Sequence, residues 1–137
     1  LLLGALAGLM LTACQSMDNS QEKVIYHVND SDSATAALRN AGNHLDATDG
    51  KAKIVVVTHA KGIDFLLDGA QDKNGNPYSI PVEKLKERGV DFRVCAITLK
   101  TRKIDPKRVI PEARIVPSGV AEIGKLQTRE GYVYLKP

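Results

Sequence analysis

From residue 23 onward, hydrophobic positions fall into two patterns. Some are short β-branched runs, and others are longer stretches with apolar residues three and four apart. KVIYHV at 23–28 mixes β-branched and aromatic residues and predicts a first strand. NDSDS follows, rich in helix-capping residues. Ala34, Ala37, Leu38, Ala41 and Leu45 then recur at helical spacing. They predict an amphipathic helix over 32–46 that leaves through the turn DATDG at 46–50. AKIVVVTH at 52–59 is almost unbroken and predicts a central strand covered on both faces, as in parallel sheets. Residues 62–67 predict a short helix through Ile63, Leu66 and Leu67.

The loop DGAQDKNGNPYS at 68–79 is either a flap over a site or a surface insertion. Pro81 suits the first turn of a helix with Val82 and Leu85 on its apolar side, closed by Gly89. VDFRVCAI at 90–97 predicts a third strand, TLKTR a helical turn, and DPKRVIPEA an irregular link. RIVP at 114–117 predicts a fourth strand ended by proline. Ser118 then caps a helix carrying Val120, Ile123 and Leu126. Gly124 costs that helix ~1 kcal/mol unless it permits a close contact. GYVYLKP at 131–137 predicts the last strand. Strands separated by helices imply an α/β fold: one domain at 23–137, a three-layer sandwich around a mainly parallel five-stranded sheet.

The first segment is different. Residues 1–13 are uncharged and apolar. Such a run is too short to span a bilayer, which takes ~20 residues, but it has the length of an export-signal core. No initiator Met and no basic leader precede it, so it reads as a signal peptide truncated at its start. LTAC at 11–14 resembles the bacterial lipobox, which implies lipidation of Cys14. Residues 14–22 then supply the lipidated cysteine and a polar tether. Gln15, rather than Asp, points to the outer membrane. The expectation is a lipid-anchored protein on the periplasmic face of the cell envelope, touching the membrane through its anchor alone.

Charge removes some function classes. A formal net charge of +3 is mild, and no aromatic residues interleave with a basic stripe, so nucleic acid is not an expected partner. The basic group around KTR at 100–102 reads first as solvated surface, although Arg102 lies just beyond Cys95 and could touch an anion. Three histidines and one free cysteine are too widely spaced for a zinc cluster, and no cofactor motif occurs in context.

Cysteine count sharpens the picture. With Cys14 spent on lipid, Cys95 has no intramolecular partner. An unpaired cysteine in an oxidising space is either buried or reactive. Sites in open α/β sheets gather at the carboxyl ends of strands. Those ends carry Asn29 and Asp30, His59, Cys95, and the turn Pro117-Ser118-Gly119. Backbone N–H groups beyond Cys95 would favour a thiolate, and His59 could serve as its base. Equally, Cys95 could be a small core residue, and His59 a packing group. His27, inside an alternating strand, reads as structural, and His44 as a cap or packing residue.

An ordered set of segments carries a family resemblance: KVIYHVND at 23–30, NHLDA at 43–47, IVVVTHAKGIDFL at 54–66, GVDFRVCAITLKTR at 89–102, IVPSGVAEIGKLQ at 115–127 and GYVYLKP at 131–137. The domain resembles the DsrE/DsrF-like family of small sulfur-relay and sulfur-oxidation proteins, particularly an exported branch. The resemblance implies a flavodoxin-like fold and a homo-oligomer, either trimer or hexamer. It also implies a persulfide-carrying cysteine at the position of Cys95, with a donor or acceptor protein as partner. His59 would assist, and Asn29, Ser118, Gly119 and Arg102 would contact the sulfur species. Ala60 follows His59 where glycine is common in such loops. Two other functions stay open: a non-enzymatic ligand-binding or assembly module with a structural Cys95, and redox sensing through an intermolecular disulfide.

Overall fold

A computed structural model describes residues 20–137. The segment predicted as a signal, Cys14 and the predicted tether up to residue 19 lie outside the described residues. The end of the tether docks on the domain: the Lys53 N–H donates to the Glu22 carbonyl at 2.7 Å, and Glu22 accepts from His44 at 2.8 Å.

The described residues form five strands: β1 (Lys23–Val28), β2 (Lys53–Thr58), β3 (Asp91–Cys95), β4 (Ala113–Val116) and β5 (Val133–Leu135). They form one sheet in the order β4-β3-β2-β1-β5, and every pairing is parallel. The helices are α1 (Ala34–Ala47), α2 (Ser79–Glu87), α3 (Ala96–Thr101) and α4 (Gly119–Glu130). The predicted helix at 62–67 is a 3-10 segment, Ala60–Leu66. Its Gly62 is required by close approach, because an added Cβ would fall 2.1 Å from the Val28 carbonyl oxygen.

Residue alternation along the strands sorts the core into two faces. Val24, Tyr26, Val28, Ile54, Val56, Phe92 and Val94 point to one face, where α1, α2, α3 and the 3-10 segment cover them. Ile25, Val55 and Val57 point to the other and meet Ile123 and Leu126 of α4, with Tyr132. Central strand β2 is buried on both faces, as its unbroken apolar run requires.

The helix distribution follows from connectivity. Successive links from β1 to β4 step across the sheet one way, whereas the link from β4 to β5 returns across it. Since such crossovers share one hand, the returning helix α4 must lie on the opposite face. Beneath α4, Arg93 donates to Asp91 at 2.8 Å and to Glu122. Arg93 and Glu122 are both buried, so this ionic cluster ties α4 to β3.

Element boundaries shift from the sequence reading by a residue or more at several ends, most tellingly where β3 meets α3. The third strand stops at Cys95, and Ala96 and Ile97 begin α3. Their apolar character continues the strand pattern, so periodicity alone hides the junction. Helix α2 begins at Ser79, two residues before Pro81. Proline fits there because N–H groups of the first turn have no intrahelical partner.

Candidate functional site

The site is built at the carboxyl ends of β3 and β4. The chain leaves β3 toward α3 on one face and leaves β4 toward α4 on the other. Neighbouring strands that part in this way open a crevice, the usual ligand position in open α/β sheets. Cys95 closes β3 at this place, and Ser118-Gly119 opens α4.

Cys95 is only 5% exposed. Burial pushes its thiol pKa up, but hydrogen bonds from the backbone N–H groups of Gly119, Thr98 and Ile97 and from the Thr98 hydroxyl outweigh this. The net effect holds the thiol below its ordinary range. Thr98 is itself oriented: its Oγ1 accepts from the Ala60 N–H at 2.9 Å, leaving its own proton free to donate toward sulfur.

Gly119 is the hinge of the arrangement. An added Cβ there would stand 3.3 Å from the Cβ atoms of both Cys95 and His59, and 3.1 Å from the Thr58 carbonyl oxygen. Cysteine and histidine therefore flank one point, and only glycine leaves that point free. His59 then enters a chain of side chains: its Nε2 lies 2.7 Å from His27 Nε2, and His27 Nδ1 lies 2.6 Å from the Tyr134 hydroxyl. Burial lowers the pKa of both histidines, and the Lys136 ammonium lowers both further. For His27 the fall reaches about 4, with His59 adding to it.

Comparison with known proteins places this fold in a family. The family model described as DsrE/DsrF-like matches residues 22–137. The chain belongs to the DsrE/DsrF-like family. Among solved structures, a protein of unknown function, MTH1491, from Methanobacterium thermoautotrophicum is 29% identical, with a TM-score of 0.71 over 85% of this chain and 99% of the other. The ychN protein of E. coli has a TM-score of 0.69 over 86% of this chain and 100% of the other, at 17% identity, and shares the fold. No curated protein matches the sequence.

Within this DsrE/DsrF-like domain the predicted site residues separate into two groups. Cys95, His59 and Gly119 come together. Ser118 adjoins them, its Oγ accepting the Ala121 N–H at 3.3 Å as the cap of α4. Asn29 sits at the end of β1, where its side-chain oxygen accepts from Lys136. Arg102 turns to the 3-10 segment, donating to the Ala60 carbonyl at 3.0 Å and to Asp64 at 2.6 Å. Ala60 has a positive φ of 50°, so the usual glycine at that position has a steric reason. The 68–79 loop folds around Asp72, which accepts from the N–H groups of Asn74 and Asn76, and it lines a cavity with Ser31 and Thr35 rather than with Cys95.

Sequence reasoning read His27 as structural and passed over Tyr134. Alternation in KVIYHV places His27 on the face of Ile25, but nothing local reveals that β5 brings Tyr134 beside it.

Proposed function

We propose that this protein handles sulfane sulfur, carrying it as a persulfide on Cys95. Family membership supports a sulfur-relay role in general. The observation that carries the finer reading is the set of donors around the Cys95 sulfur at the β3–β4 crevice. A persulfide carrier needs a thiol that is nucleophilic near neutral pH and is also a good leaving group, and a lowered pKa serves both.

The loading step balances without an external oxidant. The Cys95 thiolate attacks the terminal sulfur of a polysulfide and forms a new S–S bond. The donor's S–S bond breaks, and its electron pair leaves with the shortened polysulfide. Unloading is the same exchange with an acceptor thiolate, and Cys95 departs as thiolate. His59, whose Cβ lies with that of Cys95 around Gly119, is the base proposed to take the proton when Cys95 starts as a thiol. Ser118 retains a hydroxyl proton that can be donated to the bound sulfur species.

Partners and address belong to the same proposal. Ile97 and Val120, 54% and 65% exposed, open α3 and α4 close to Cys95 and offer apolar contact to an acceptor protein. A homo-oligomer and a lipid-anchored place in the envelope are carried by the family resemblance and by the LTAC motif.

A second reading is favoured by the 5% exposure of Cys95, which suits a structural thiol in a binding or assembly module. Incubation of the folded chain with polysulfide separates the two. Sulfur mass is expected on the peptide containing Cys95, removable by reductant and lost in Cys95→Ser. An unmodified Cys95 would select the structural reading.

A further inference from the structure

We propose that His27, His59, Tyr134 and Lys136 form a binding site for a small divalent oxyanion of the sulfate and thiosulfate class, and that the histidine pair takes up a proton as the anion binds. The inference goes beyond the sulfur-carrier reading and does not depend on Cys95 reacting.

The first observation is a charge with no counter-charge. Lys136 directs its ammonium to the neutral side-chain oxygen of Asn29 and makes no ion pair among the described residues. An ammonium has three N–H donors, so two stay free. Besides burial, the charges acting on His27 are those of His59 and Lys136, and the charge acting on His59 is that of Lys136. No carboxylate acts on either ring.

The second observation is a chain of side chains one proton short of donating at both ends. The Tyr134 hydroxyl lies 2.6 Å from His27 Nδ1, and His27 Nε2 lies 2.7 Å from His59 Nε2. Each contact holds one proton. Two neutral imidazoles and a phenol carry one proton more than these contacts use. Either the Tyr134 O–H or the His59 Nδ1–H is then a free donor, but not both. One further proton arms both ends and makes the pair positive. Burial and Lys136 oppose that charge, which is why His27 falls to about 4. An anion beside Lys136 offsets its ammonium and attracts the imidazolium, so anion and proton favour each other.

The third observation is access. Tyr134 is 42% exposed, Lys136 is exposed, and both imidazoles are half-buried. A small ligand reaches these groups from solvent, yet meets them where attraction is less damped than at an open surface.

Neighbouring carboxylates do not supply the missing charge. Asp30 accepts the Ser33 N–H at 3.0 Å, and Asp64 of the 3-10 segment is taken by Arg102. On α4, Glu122 is held by Arg93 and Lys125. The 3-10 segment adds Lys61, another exposed cation. On β3 the titratable group is Cys95, whose Cβ lies with that of His59 around Gly119. A thiolate there would also weaken anion binding at high pH, so the test separates the two groups.

Sulfate is the probe, because it carries two charges and cannot transfer sulfur. Its binding to the folded full chain is read from histidine NMR shifts between about pH 4 and about pH 8, with ionic strength held constant by chloride. Affinity is expected to rise about tenfold or more toward low pH, and saturating sulfate should raise the His27 midpoint above about 4 by the same linkage. Lys136→Gln, at an exposed position, should weaken binding about tenfold or more. Lys84→Gln on α2, an equal change in net charge, should not. His27→Gln should leave weak binding that no longer varies with pH. Histidine shifts identical in sulfate and chloride would overturn the site, as would full-strength binding in Lys136→Gln. Dependence on pH that survives in His27→Gln would place the proton elsewhere and overturn the coupling. Sulfate binding beside an inert Cys95 would remove the carrier reading alone, whereas sulfur loading of Cys95 without sulfate binding would remove the anion site alone.

Discussion

Thr98 has two duties in the space of one hydroxyl. It accepts the Ala60 N–H and donates toward Cys95. Thr98→Val keeps the shape and removes both. It should raise the Cys95 pKa, read from thiolate absorbance against pH. It should also destabilise the fold by ~0.5–1.5 kcal/mol, the net worth of one hydrogen bond, read from chemical denaturation. Cys95, His59 and Ser118-Gly119 were legible in the sequence because strand ends collect chemistry in α/β sheets. The lowered thiol pKa was legible only as a tendency, since the Gly119 donor comes from a segment far along the chain. His27 was not legible as part of the site. Its neighbours, His59 and Tyr134, are set by strand order, which local periodicity does not encode.

At the scale of elements, α4 carries the most consequence. Among the described helices it alone covers its face of the sheet, its first residue donates to Cys95, and its buried Glu122 meets Arg93. Its Gly124 faces open space, with nothing within 4 Å of an added Cβ, so no close contact offsets the intrinsic cost of glycine in a helix. Gly124→Ala should therefore stabilise the domain by up to ~1 kcal/mol without changing Cys95 reactivity, and thermal melting paired with an alkylation rate checks both. The helix itself was readable from Ser118 and from the spacing of Val120, Ile123 and Leu126. The junction of β3 and α3 was misplaced by two residues because Ala96 and Ile97 are apolar whichever element holds them.

Across the whole molecule, the ends of β1 and β2 bring together a half-buried histidine pair, His27 and His59, whose charge the fold resists. His27 falls from 6.5 to about 4 on folding, so the unfolded chain binds more protons between those values. Its contribution to stability is present above pH 6.5 and is lost as pH falls through about 4. Denaturation midpoints should drop across that window, and His27→Phe should flatten the drop. Connectivity likewise acts at this scale: the return from β4 to β5 puts α4 opposite α3, so that the two helices diverge from the strand ends where Cys95 lies. The account turns on that cysteine being a stabilised thiolate. Its most direct test is the titration of Cys95 in the folded chain, read as site-resolved alkylation across pH so that Cys14 does not contribute. A midpoint below the ordinary thiol value of 9.0 is predicted, rising when the chain is unfolded. A native midpoint at or above that value would contradict the account.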